Sequence, residues 1–225
     1  TLHHAWQLKH YKYIEDFGTV IILCGINDAG TLLQGNYEVR KQTVEQESFD
    51  DSIITRGAYY QQSVVVQRLG NLWACRIPMR TRVAQDPAGN WYASVRDMRA
   101  AWLKRNPLSS IPPQLPAALD IYKANLADLI RIGRQRNQRL VFLTQPTLYQ
   151  KNSADDVSAL LWEHFEKGAY TTEVLTEVMQ AYNEALRQVC DECGVACLDL
   201  AAMLPRDTTV FYDDCHFNIS GCEKT

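Results

Sequence analysis

The sequence predicts an α/β protein built on a parallel sheet, and three observations carry that reading. Apolar runs of strand length recur at residues 19–24, 139–144 and 195–200, and the first lacks the alternation of a half-solvated strand, as expected of a strand buried on both faces. Long amphipathic helical patterns precede the second and third runs, over residues 115–137 and 172–192. Alternation of helix and strand joins neighbouring strands by crossovers and so makes them parallel.

Each element has its own justification. Residues 2–15 read as a helix with Trp6, Leu8, Tyr11, Tyr13 and Ile14 roughly on one side, ended by Gly18. The first strand then runs into Gly25-Ile26-Asn27-Asp28. In the second long helix Leu119, Tyr122, Leu126, Leu129 and Ile130 share a stripe, and Pro116 suits its first turn. In the third, Leu175, Val178, Met179, Tyr182, Ala185, Leu186 and Val189 fall at helical spacing, and Gly194 is placed as the C-terminal stop. Between the first two strands, residues 37–56 are polar, residues 59–75 read as helical around Val64, Val65, Val66, Leu69 and Leu72, and residues 86–90 form a turn cluster before Trp91-Tyr92. A connection this long is expected near the carboxyl ends of the strands, where ligands bind in such folds.

At 225 residues the chain fits a single domain over residues 1–225, with a long insertion over about 30–113 on the substrate side. Hydrophobic residues make up 46% and charged residues 22%, which is ordinary for a globular protein. No apolar run approaches the roughly 18 residues of a membrane span. The net charge of −3 argues against nucleic acid as a partner. The start at Thr1 has no signal-peptide pattern, and Ser220 with Glu223 matches a capping box two residues before the chain stops. The chain therefore reads as an internal piece of a longer protein.

Two short polar words carry the chemistry. Asp213 and His216, three residues apart, become neighbours in a helical turn; a carboxylate beside an imidazole fixes its tautomer and stabilises the imidazolium. Asn27, just past the first strand, sits on the ligand side of a parallel sheet, where its amide could donate to a developing oxyanion.

Together, a strand ending in Gly25-Ile26-Asn27-Asp28 and the later Asp213-Asp214-Cys215-His216-Phe217-Asn218, followed by Gly221, resemble the SGNH/GDSL hydrolases over essentially the whole chain. The helix before each strand and Thr144-Gln145-Pro146 are similar to bacterial members. The resemblance implies a flavodoxin-like three-layer α/β/α sandwich whose first strand or strands lie upstream of residue 1. It implies cleavage of carboxylic esters, or acyl transfer, on a small-molecule or glycan ester, without metal or other cofactor. His216 would be the base, Asp213 its orienting carboxylate and Asn27 an oxyanion donor, with Gly25 and Asp28 supporting the loop that aims Asn27. The family's Gly-Asp-Ser block and its second-block glycine are absent. Ser63, Ser94, Ser109, Ser110 and Ser220 are not on the strand–turn–helix expected of an activated serine. The nucleophile is therefore expected upstream, and this piece alone is expected to be inactive.

Two other readings stand beside this one. The same fold could bind a glycan or small ligand without catalysis. Cys190, Cys193 and Cys197, with Cys215, His216 and Cys222, could form a zinc or redox module; their places in a helix end and a strand favour buried thiols instead. Arg96, Arg99 and Arg105 among Trp91, Tyr92 and Trp102 would either line a substrate entrance or, more commonly, pair and pack at the surface.

Overall fold

The three apolar runs form one parallel sheet. A computed structural model describes residues 1–11, 13–38, 90–151, 153, 155–163 and 168–225. In chain order these hold α1 (Leu2–His10), a 3₁₀ turn (Ile14–Asp16), β1 (Thr19–Leu23), α2 (Ile26–Leu33), α3 (Asn90–Arg105), β2 (Pro107–Leu108) and α4 (Leu115–Gln135). They continue with β3 (Arg139–Leu143), α5 (Asp155–Ser158), β4 (Ala169–Tyr170), α6 (Thr172–Cys193), β5 (Ala196–Leu198), α7 (Leu200–Met203) and α8 (Ile219–Lys224). The chain divides into two compact units, Thr1–Glu47 with Ser94–Thr225, and Ser48–Ala93. Both parallel sheets belong to the first unit. The helix expected over 59–75, the polar stretch from 39 to 56, Ser63 and Cys75 lie outside the described residues.

The sheet order is β1-β3-β5, with Ile22, Phe142 and Cys197 in one register and Leu23, Leu143 and Leu198 in another. A separate parallel pair joins β2 to β4. One face of the main sheet is buried: Ile22 and Phe142 are almost completely covered. Over it α4 packs against both α1 and α6; Leu126, Leu129, Val178 and Leu186 are buried, and Tyr122 meets Tyr182 edge-on at 4.9 Å. Burial of such side chains contributes roughly 1.5–3 kcal/mol each. On the opposite face Ile21 is 67% exposed and Leu198 45% exposed. The first strand thus alternates in burial, contrary to the burial on both faces expected from its unbroken apolar run.

Local signals mark several helix ends. Pro116 lies in the first turn of α4, and Gly194 ends α6 in the left-handed region at φ 62°. The Thr171 hydroxyl accepts from the Val174 N–H to start α6. The first helix stops at His10, because Tyr11 turns to extended backbone. At α8 the cap is Asn218, whose Oδ1 accepts from the Gly221 N–H at 2.7 Å, rather than the expected Ser220.

Gly221 is required by close approach rather than by φ. A Cβ there would lie 2.1 Å from the Val210 carbonyl oxygen and 3.1 Å from the Phe217 Cβ. Backbone cannot yield as a side chain can. Gly221→Ala is expected to destabilise the fold by about 2–3 kcal/mol; a urea midpoint that falls at unchanged slope checks this.

Candidate active site

The carboxyl ends of β1 and β3 open into a cleft of about 760 Å³, lined by Leu23, Ile26 and Asn27 from the first connection and Gln145 from the second. This is the ligand side of a parallel sheet. Its far wall is Trp162, Glu163, Asp214, Cys215 and His216. The structure therefore brings Asn27 and His216 to one cavity. Asp213 stands behind His216, fully buried.

The turn into α2 needs Gly25, whose φ of 130° no side-chain-bearing residue adopts without strain. Gly25 is also the N-cap and supplies no side chain, so the first N–H groups of α2 face the cleft end uncapped. The exposed Asn27 amide makes no hydrogen bond to the described residues. Asp28 points the other way: its carboxylate accepts from the Thr1 hydroxyl at 2.9 Å and the Thr1 backbone nitrogen at 2.8 Å. Its carbonyl accepts from Thr31 and Tyr182. Past β3, Asn183 clamps Gln145 by accepting from its N–H and donating to its carbonyl.

Asp213 and His216 meet in a tight bend, not in the helical turn expected from their spacing. The bend is closed by an antiparallel bridge between Phe211 and Phe217. The backbone N–H groups of Cys215 and His216 donate to Asp213 Oδ1 at 3.1 and 2.9 Å. His216 Nδ1 lies 2.9 Å from both carboxylate oxygens. An ionised carboxylate only accepts, so Nδ1 carries the proton and the neutral ring keeps Nε2 as an acceptor. The His216 side chain is 54% exposed and lines the cleft, and Nε2 makes no hydrogen bond among the described residues.

Cys215 Sγ lies 3.9 Å from His216 Nδ1, but burial and then the neighbouring Asp213 charge hold its thiol well above the usual range. It is not a thiolate nucleophile at neutral pH. Asp213, Cys215 and His216 place ligand atoms within 4.8 Å of one another, the one such group among the described residues. Cys190, Cys193 and Cys197 form no cluster of three ligands there. A metal at Asp213 would have to displace the N–H donors it already holds, and a protonated thiol is a poor ligand.

Sequence reasoning missed the wall opposite Asn27. Tyr149 donates to Glu163 Oε2 at 2.7 Å. The Trp162 N–H donates to Asp214 Oδ2 at 2.8 Å, while Asp214 Oδ1 has no partner among the described residues. Arg99, expected in a surface cluster, is 2% exposed and donates to the carbonyls of Glu163 and Tyr170. Burial, then the Asp214 charge, pushes the Glu163 carboxyl up to about 7. Burial likewise raises Asp214. No motif announces Leu160-Leu161-Trp162-Glu163; its polar partners come from distant segments.

Compared with known proteins, the chain matches no family model, no curated protein and no solved structure at a significant level.

The Glu163 shift makes stability depend on pH. The folded chain holds this proton up to about 7, whereas the ordinary value is 4.5. Between those values the folded state binds more protons, so stability is fully present below the lower one and falls as pH rises through the upper one. The full loss is on the order of 3 kcal/mol. Glu163→Gln cannot ionise and keeps a partner for Tyr149. Its melting temperature is expected to exceed that of the parent at pH 8 and to converge with it near pH 4.5; parallel pH profiles would exclude Glu163 as the source.

Proposed function

We propose that this chain carries the acid–base and oxyanion half of a serine ester hydrolase with an SGNH-type three-layer α/β/α sandwich. The observation that supports this best is the His216 ring, held through Nδ1 by buried Asp213, in a cleft that Asn27 also lines. The nucleophile in this reading is a serine outside the described residues, since no described serine lines the cleft.

The steps follow from the atoms present. The serine oxygen attacks the acyl carbon of the ester while His216 Nε2 takes the serine proton. The imidazolium so formed is stabilised by Asp213. The carbonyl oxygen becomes an oxyanion, which the Asn27 amide and the N-terminal N–H groups of α2 stabilise. Collapse expels the alcohol, which takes its proton from His216. Water, deprotonated by the same nitrogen, then releases the acid and restores the serine; an alcohol in place of water gives acyl transfer.

In the full-length protein, His216→Ala is expected to lower p-nitrophenyl acetate hydrolysis by roughly 10²–10⁴-fold. Asn27→Ala is expected to lower kcat by about 10²–10³-fold. A fluorophosphonate probe should label one serine. Unchanged turnover in a folded His216→Ala variant overturns the reading. Absence of both hydrolysis and labelling in the parent leaves the non-catalytic binding role in its place.

A further inference from the structure

The Asp213 carboxylate is fully buried, and its two oxygens are not equally served. Oδ1 accepts two backbone N–H groups from the bend, in addition to His216. Oδ2 has one donor besides His216 among the described residues: the Trp162 indole N–H, at 3.1 Å. Because His216 Nδ1 is equidistant from both oxygens, it does not by itself set the rotation of the carboxylate. The backbone pair and the indole do so from opposite ends.

The segment that carries this indole is pinned to the same loop at two more points. The Trp162 N–H donates to Asp214 Oδ2, and Arg96 donates to both the Leu160 and Tyr212 carbonyls, at 3.1 and 3.0 Å. Three polar staples thus join residues 160–163 to residues 212–216. A segment whose purpose was only to fill space would pack through apolar atoms. This one spends both N–H groups of one tryptophan on adjacent carboxylates.

We propose that Trp162 is a positioning residue for the Asp213–His216 pair: its indole N–H fixes the carboxylate so that the imidazole presents Nε2 to the cleft. The catalytic part of the proposal rests on the ester-hydrolase reading; the structural part does not. Loss of the N–H leaves a buried carboxylate oxygen short of a donor, and hydrogen bonds to charged groups are stronger than neutral ones. The carboxylate then rotates toward its remaining donors and the ring follows. Trp162 also lines the cleft, so the test must separate positioning from substrate contact.

The experiment is Trp162→Phe, which keeps an aromatic ring and removes the donor. By proton NMR on the full-length protein, the downfield Nδ1–H resonance, identified by its loss in His216→Ala, is expected to shift and exchange faster in Trp162→Phe. An unmoved resonance overturns the proposal whether or not the protein is a hydrolase. In the full-length enzyme, kcat for p-nitrophenyl acetate is expected to fall roughly tenfold with KM within about twofold. In an Asp213→Ala background the same change is expected to have no further effect. A rise in KM alone, or additive losses with Asp213→Ala, assigns Trp162 to substrate contact and overturns positioning, while His216→Ala independently tests the base. Should the phenylalanine variant fail to fold, β-(3-benzothienyl)alanine at position 162 keeps the ring shape, replaces N–H with sulfur, and is judged by the same readouts.

Discussion

The site depends on keeping one carboxylate, Asp213, out of water. Burying an ionised carboxylate without partners is prohibitive, so the surrounding chain must supply donors or the residue must lose its charge. The bend from Asp213 to His216 supplies two of them from its own backbone, in the manner of short polar side chains that organise local turns. The imidazole supplies a third and the Trp162 indole a fourth. The donors that make burial tolerable are the same ones that orient the ring. Over three residues the chain passes from a wholly buried carboxylate to a half-exposed imidazole, and that gradient gives His216 one fixed nitrogen and one available nitrogen.

Sheet topology explains why residues so far apart in sequence share a cleft. Strands β1 and β3 are parallel neighbours in register, so the connections leaving their carboxyl ends emerge side by side. One places the α2 N-terminus and Asn27; the other passes Gln145, clamped by Asn183, and reaches Leu148, whose N–H donates to the Asp214 carbonyl. That last bond ties the loop after β3 to the loop that holds Asp213 and His216. Gly221 brings α8 against Val210, just before that loop, and Asn218 caps the helix just after it.

What the sequence reveals here is what has a period or a short word. The apolar runs, the stripes of α4 and α6, Pro116, Gly194 and the two polar words all act within a few residues, and each leaves a pattern. The bond between Trp162 and Asp213 spans 51 positions and joins two irregular segments, so neither periodicity nor spacing marks it. Arg99 reads as a surface cation, because burial of an arginine is decided by carbonyls on distant segments. Spacing alone put Asp213 and His216 together, but it chose a helical turn where the chain makes a bend. The first strand misleads in the opposite direction: an unbroken apolar run signals two buried faces, yet Ile21 stands exposed beside buried Ile22.

Three carboxylates within this wall differ by the donors each receives. Asp213 holds backbone, imidazole and indole N–H groups. Asp214 accepts from the Trp162 N–H on one oxygen and leaves the other without a partner among the described residues, and Glu163 accepts from Tyr149 on one oxygen. Arg99 lies close enough to moderate the last two, but its guanidinium donates to the carbonyls of Glu163 and Tyr170 rather than to either carboxylate. Scarcity of donors lets burial dominate at both, so that Asp214 is raised and Glu163 is pushed up to about 7. The wall facing Asn27 can therefore change charge near neutrality at Glu163, while the hydrogen bonds that aim His216 are made by backbone, indole and imidazole groups. Charge variation and ring orientation are thereby assigned to different side chains of one short wall, joined through the backbone of Trp162.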